Sequence, residues 1–121
     1  MATFRDLLAA TKRQIREVTT EEADERRHEP DAVVLDVREP DEYEQGAVPG
    51  ALHIPRGNLE SNIEARVPDH DTPLIVMCAG GVRSAFSAKT LGERGYTDGV
   101  SVAGGCNRWK DVDREWRAPR T

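Results

Sequence analysis

Residues 74–84 read LIVMCAGGVRS, an apolar run followed by a cysteine, three small residues and a segment of helical character. The uninterrupted apolar run at 74–77 is typical of a parallel strand that is covered on both faces. The pair Gly80-Gly81 predicts a tight loop, because glycine permits positive φ and close backbone approach. We therefore predict a strand, a loop and a helix that begins near Arg83, with Cys78 at the carboxyl end of the strand.

The rest of the chain alternates in the same way between short apolar runs and segments with helical spacing. Since strands joined by helices pair in parallel through right-handed crossovers, this alternation predicts an α/β fold. It should contain an open, mainly parallel five-stranded sheet flanked by helices on both faces. We expect one domain over residues 1–121, with a core at about 17–116 and an N-terminal amphipathic helix at 3–15. The predicted strands are 17–18, 32–37, 51–54, 74–78 and 99–103, and the other predicted helices are 19–28, 41–45, 59–67, 83–94 and 107–116.

The composition argues against a nucleic-acid-binding protein and against a membrane-spanning one. The 121 residues are 37% hydrophobic and 32% charged, with a formal net charge of −5. An acidic chain of this kind is a poor match for a nucleic-acid-binding protein, and no apolar run approaches the roughly 18 residues of a membrane helix. The two cysteines, 28 positions apart and outside any CxxC pattern, favour neither a zinc site nor a disulfide framework. We expect a cytoplasmic protein without nucleic-acid or membrane partners and without a metal or organic cofactor, whose oligomeric state the sequence leaves open.

The position of Cys78 favours its reactive form. A sulfur between a strand end and a helix N-terminus faces loop N–H groups and the positive end of the helix dipole, and both favour thiolate over thiol. The same N–H groups can hold an anion attached to the sulfur. A single cysteine at the end of a buried strand is more often a small hydrophobic residue. The glycine pair and Arg83 nevertheless favour a nucleophile that handles anionic sulfur, phosphorus or arsenic groups.

Four blocks of the sequence together resemble the rhodanese (sulfurtransferase) family. Residues 78–84, CAGGVRS, are similar to the family's active-site loop, whose pattern is Cys-x-x-Gly-x-Arg-Ser. Residues 35–43, LDVREPDEY, and 46–55, GAVPGALHIP, are similar to its early strand-and-turn signatures. Residues 104–109, GGCNRW, are similar to its closing Gly-Gly-x-x-x-Trp element. The blocks follow the family order and extend over most of the chain, so their combination is far more specific than any one of them.

This resemblance implies a single-domain sulfurtransferase in which Cys78 is the catalytic nucleophile. Its thiolate would take the outer sulfur of a donor, become a persulfide, and pass that sulfur to a thiophilic acceptor. The donor would be a small anionic sulfur compound such as thiosulfate, or the persulfide of a protein or a thiol. Arg83 would hold the loop by hydrogen bonds and add positive charge at its base. The residues implied to bind the substrate are Ala79, Gly80, Gly81, Val82, Arg83 and Ser84.

The chain departs from the family pattern in two places. Residues 46–51 read GAVPGA where many members have Gly-His-Ile-Pro-Gly-Ala, so the role of that histidine is absent here. Members specialised for thiosulfate often carry cationic side chains directly after the cysteine, where this chain has Ala79 and Gly80. We therefore expect weak thiosulfate binding, unless Arg38, Arg56 or Arg108 approaches from a neighbouring strand end.

Three other functions are considered. Cysteine-dependent phosphatases and arsenate reductases place one residue more between cysteine and arginine than the four found here, because a tetrahedral oxyanion needs a wider loop. A non-catalytic rhodanese-like binding module would usually lack the cysteine. A sulfur-relay protein would share the persulfide chemistry and differ in its partner, which the sequence does not identify.

Three further residues are candidates for shaping the site. Asp36 and Arg38 end the second predicted strand on the same rim as Cys78, either as a buried ion pair that supports the loops or as part of the pocket. Cys106 follows a Gly-Gly turn on that rim. It could resolve the persulfide as an intramolecular disulfide, or it could simply pack at the start of the last helix.

Overall fold

A computed structural model describes residues 3–118, so the two N-terminal and three C-terminal residues of the predicted domain lie outside the described part. The model confirms the predicted α/β fold. Its five strands form one sheet in the order β1-β5-β4-β2-β3, and every pairing within it is parallel. The strands are β1 (Arg16–Val18), β2 (Val33–Asp36), β3 (Leu52–His53), β4 (Leu74–Met77) and β5 (Gly99–Val102). The apolar run that predicted β4 is fully buried because β4 is the central strand.

Helices cover both faces of the sheet. Side-chain caps mark where the first two begin: Thr3 caps one and Thr19 the next, each accepting a hydrogen bond from a backbone N–H three residues on. The helices are α1 (Phe4–Arg13), α2 (Thr20–Arg26), α3 (Pro40–Glu44), α4 (Leu59–Arg66), α5 (Val82–Glu93) and α6 (Gly105–Asp111), with a 3₁₀ turn at Arg56–Asn58. No helix within residues 3–118 is both long and apolar enough to cross a membrane.

Alternating side chains of the strands divide the core into two clusters. The cluster on the α5 side joins α4 and α5 to one face of the sheet and includes Leu35, Val76 and Cys78. The cluster on the α6 side joins α2 and α6 to the other face and includes Met77 and Cys106. Because successive strand residues point to opposite faces, Met77 and Cys78 belong to different clusters. This division determines which residues can meet the sulfur of Cys78.

The C-terminal segment differs from the predicted helix at 107–116. Helix α6 ends at Asp111, and Asp113 then adopts a left-handed conformation with φ 56°. The chain turns back, so that Arg117 and Ala47 exchange two backbone hydrogen bonds of 3.1 and 2.9 Å. The pattern was misleading because no glycine or proline marks the turn, and aspartate is one of the few residues that tolerate this conformation. As a result Trp116 lies on the returning segment and not on a helix.

Candidate active site

The sulfur of Cys78 lies immediately after β4, inside the loop that leads to α5. It accepts hydrogen bonds from the backbone N–H groups of Gly81, at 3.1 Å, and Ser84, at 3.3 Å. The Ser84 hydroxyl oxygen is 3.5 Å from the sulfur and 2.8 Å from the hydroxyl of Ser101. Only 1% of Cys78 is exposed. The loop therefore presents two backbone N–H donors to this sulfur.

Gly81 shapes this loop. Its φ of 97° is left-handed, and a side chain there would approach the backbone of Gly104 closely, at 3.3 Å. Glycine is the residue that adopts such a conformation without strain. The turn at Gly81 directs its own N–H toward the sulfur and starts α5 at the next residue.

The first residues of α6 hold the Cys78 loop by two backbone hydrogen bonds. The N–H of Cys106 donates to the carbonyl of Cys78 at 2.8 Å, and the N–H of Asn107 donates to the carbonyl of Ala79 at 3.0 Å. Gly105 makes this approach possible. Its φ is 53°, and a Cβ there would overlap the carbonyl oxygens of Cys78 and Ala79. The Gly-Gly turn therefore holds the backbone at Cys78 and Ala79.

Arg83 is placed differently from the expectation that it would hold the loop and add charge at its base. Its guanidinium makes a bidentate pair with Glu42 of α3, with hydrogen bonds of 2.6 and 2.9 Å. These hydrogen bonds raise the pKa of Arg83 and lower the pKa of Glu42 to about 2. Arg83 therefore joins α5 to α3, and the Glu42 carboxylate balances its charge.

The substitution Glu42→Gln tests this ion pair. A carboxyl group whose pKa falls from 4.5 to about 2 on folding stabilises the fold above pH 4.5, and this contribution disappears as the pH falls toward 2. We expect the substitution to cost about 1 kcal/mol of unfolding free energy at neutral pH, since about a third of each side chain is exposed. Urea unfolding across this pH range measures the difference, which should shrink below pH 4.5.

Glu44→Gln is the matched control, because Glu44 belongs to the same helix and has no ion-pair partner within residues 3–118. A difference between wild type and Glu42→Gln that stays constant through the acid range would contradict the assignment.

Asp36 and Arg38 form a buried ion pair, with 2.7 Å between the guanidinium and the carboxylate. Arg38 also donates to the carbonyl of Gly46 at 2.8 Å and to that of Glu42 at 3.3 Å. The pair therefore supports the segment between β2 and β3, one of the two arrangements considered from the sequence. The Asp36 carboxylate therefore balances the charge of Arg38.

The N–H of Cys106 donates to the carbonyl of Cys78, so the backbones of the two cysteines are neighbours. The side chain of Cys106 packs in the cluster on the α6 side, whereas that of Cys78 packs in the cluster on the α5 side. Burial, reinforced by the Asp36 carboxylate, raises the pKa of Cys106 to about 12, so it remains a thiol at neutral pH. This arrangement favours a packed residue over a resolving cysteine.

A small cavity opens beside the loop, on the side of α6. Its volume is about 200 Å³. One wall is Ala79, and the others include Trp116 and Lys110, neither of which was predicted to lie at the site. Two of the arginines predicted as possible cations of the site lie elsewhere, since Arg56 pairs with Glu60 and Arg108 lines a separate cavity near α2. No local sequence pattern indicated that Lys110 or Trp116 lies at the site. Trp116 reaches it only through the turn at Asp113.

Comparison with known proteins agrees with this geometry. The rhodanese-like domain family matches residues 19–112. A Bacillus subtilis protein with a suspected role as a sulfur carrier is 34% identical over 76 residues, which are 63% of this chain and 40% of that protein. The chain thus spans about two fifths of this relative.

Solved structures show the same fold over nearly the whole chain. A protein of unknown function from Rhodopseudomonas palustris, described as a possible tyrosine phosphatase, is 30% identical with a TM-score of 0.85, covering 97% of this chain and 96% of that one. A thiosulfate sulfurtransferase from Pseudomonas aeruginosa is 28% identical with a TM-score of 0.81, covering 95% and 22%. The polysulfide-sulfur transferase homodimer of Wolinella succinogenes is 27% identical with a TM-score of 0.81, covering 94% and 86%. The chain belongs to the rhodanese-like domain family.

Proposed function

We propose that this protein is a sulfurtransferase that carries a sulfane sulfur on Cys78. The observation that carries the proposal is the sulfur held at a strand end under two backbone N–H groups. Such donors stabilise the thiolate, and they also stabilise the anionic persulfide and the charge that develops during transfer. Catalysis of this kind is covalent and proceeds through two half-reactions.

In the first half-reaction the Cys78 thiolate attacks the terminal sulfur of the donor. The new S–S bond forms as the bond between that sulfur and the rest of the donor breaks, and the leaving group departs with the electron pair. In the second half-reaction an acceptor nucleophile attacks the outer sulfur of the persulfide. The bond to Cys78 breaks, and its thiolate is restored. No net oxidant or reductant is required.

The loop geometry supports sulfur transfer over phosphoryl transfer, although one structural neighbour is described as a possible phosphatase. Only four residues separate Cys78 from Arg83, and the guanidinium that a phosphoryl group would need is paired with Glu42. A sulfur that is 1% exposed also favours a donor that presents a single terminal atom. The same geometry suits a sulfur-relay protein, which would differ only in its partner.

The donor that fits best is a persulfide or polysulfide. Thiosulfate carries its sulfonate next to the transferred sulfur, where a cation would have to lie above the loop. Ala79 and Gly80 provide none, and Arg38, Arg56 and Arg83 are each paired with a carboxylate. The names of the relatives, which include a thiosulfate sulfurtransferase and a polysulfide-sulfur transferase, agree with either donor class.

The test is a comparison of kcat/KM for thiosulfate and for glutathione persulfide, with cyanide as the acceptor and p-nitrophenyl phosphate as a phosphatase substrate. We expect thiocyanate from both sulfur donors, a thiosulfate KM at or above about 1 mM, and no phosphate ester hydrolysis. The Ala79→Arg variant adds the missing cation and should lower the thiosulfate KM. If neither donor gives thiocyanate, the proposed function is rejected. A micromolar thiosulfate KM would reject the donor preference.

A further inference from the structure

The cavity of about 200 Å³ beside the loop is here called the side cavity. The residues that line it do not include Gly81 and Ser84, whose N–H groups contact the sulfur. The volume of the side cavity equals that of roughly six or seven water molecules in the liquid, enough for a small organic group. It touches the loop at Ala79, one residue after the nucleophile, but is not lined by Cys78 itself. A group bound there would therefore be displaced sideways from the reacting sulfur. The full lining is Arg38, Glu42, Gln45, Ala79, Asn107, Lys110 and Trp116.

One of the two cations that line the side cavity has no carboxylate partner within residues 3–118. Arg38 is balanced by Asp36, and Glu42 is balanced by Arg83. Lys110 pairs with no carboxylate in the described part of the chain, and its ammonium lies 5.1 Å from the centre of the Trp116 ring. Since the two ion pairs cancel, the side cavity presents one net positive charge.

The indole ring of Trp116 lies beside both cations of the side cavity. The ring is also 5.2 Å from the guanidinium carbon of Arg38, so it has contacts with both cations. The ring lies where a side chain at Gly46 would be, which only a glycine allows. Two amide side chains, those of Gln45 and Asn107, also line the side cavity, and within residues 3–118 neither is used in a side-chain hydrogen bond. Together they offer neutral donors beside an ammonium group.

We propose that the side cavity binds the carboxylate of a small thiol substrate, with Lys110 as its ionic contact. This inference rests on the proposed sulfur transfer and names the class of acceptor. Lys110 lines a cavity that touches the loop at Ala79 and not at Cys78, so its ligand is a charge held apart from the reacting sulfur. The carboxylate of a small thiol is separated from its sulfur by carbon atoms, whereas the sulfonate of thiosulfate is bonded directly to the transferred sulfur. The bound thiolate attacks the outer sulfur of the Cys78 persulfide, forms R–S–SH, and releases the Cys78 thiolate.

The experiment loads Cys78 with sulfane sulfur from glutathione persulfide, removes the excess donor, and measures the rate constants for discharge by two thiols. The acceptor 3-mercaptopropionate carries a carboxylate, and 2-mercaptoethanol is its neutral counterpart. The quantity compared is the rate constant for 3-mercaptopropionate divided by that for 2-mercaptoethanol. We expect Lys110→Met to lower this ratio about fivefold relative to wild type, which corresponds to the upper range of free energy for an exposed ion pair. Intrinsic reactivity of the thiols cancels in this comparison. Raising the ionic strength should bring the wild-type ratio toward that of the variant.

Three further variants control for net charge and for packing. Lys89→Met removes the same charge on α5, where Lys89 pairs with Glu93, and should keep the wild-type ratio. Lys110→Arg retains a cation and should restore the ratio, while Lys110→Gln repeats the loss with a polar side chain. A persulfide that forms normally but gives equal ratios in wild type and Lys110→Met would overturn the carboxylate site alone. Failure to form any persulfide on Cys78 would overturn the proposed function and this inference with it.

Discussion

The Cys78→Ser variant is expected to lose sulfur transfer by at least about a thousandfold, since removal of a covalent nucleophile abolishes the intermediate itself. A serine hydroxyl stays protonated at neutral pH and forms no persulfide. The substitution exchanges one small side chain for another, and the hydrogen bonds from Gly81 and Ser84 can be made to oxygen as well. Thiocyanate formation from glutathione persulfide measures the loss.

The matched control is Cys106→Ala, which removes the other sulfur. Its side chain packs on the opposite face of the sheet and remains a thiol, so we expect activity within about threefold of wild type. Thermal unfolding of both variants tests whether each is folded. Residual turnover in Cys78→Ser, or loss of turnover in Cys106→Ala, would move the nucleophile away from Cys78.

The second large effect is expected at Gly105. Substitution by alanine adds a Cβ that overlaps the carbonyl oxygens of Cys78 and Ala79, at a position whose φ is 53°. The start of α6 must then retreat from the loop, which breaks the hydrogen bond of 2.8 Å between Cys106 N–H and the Cys78 carbonyl. Strain at one such residue costs about 1–3 kcal/mol, and the overlap adds to it, so we expect a loss of at least about 2 kcal/mol in unfolding free energy.

Gly92→Ala is the control for this substitution. Gly92 lies within α5, has no positive φ, and leaves open space where the Cβ would be. Alanine there should stabilise the protein by up to about 1 kcal/mol, because glycine is the weaker helix former. Urea unfolding of both variants gives the two free energies. Equal stability of Gly105→Ala and wild type would show that α6 does not hold the loop in the way described.

The strands and the loop around Cys78 were predictable because their signals are local. The apolar run at 74–77 can be buried on both faces only as a central strand, and β4 has that place in the sheet. Thr19 and Glu22 cap the start of α2 by reciprocal side-chain to backbone hydrogen bonds, which is a local signal of the same kind. The glycine pair after Cys78 predicted the turn that presents the N–H of Gly81 to the sulfur.

The partners of the site were not predictable from such signals, because they meet through the tertiary fold. Arg83 pairs with Glu42, which is 41 positions away, and nothing in either segment specifies the other. Trp116 reaches the side cavity only because the chain turns back at Asp113, where no glycine or proline marks the turn. The opposite placement of the two cysteine side chains likewise follows from strand alternation and the position of α6.

The central claim is that Cys78 itself carries the transferred sulfur, and the mass of the intact protein tests it most directly. After incubation with glutathione persulfide and removal of the donor, wild type should gain about 32 Da, the mass of one sulfur. Peptide mapping should place the added sulfur on Cys78, and cyanide should remove it. A protein that gains no sulfur, or a Cys78→Ser variant that gains the same cyanide-sensitive sulfur as wild type, would contradict the account.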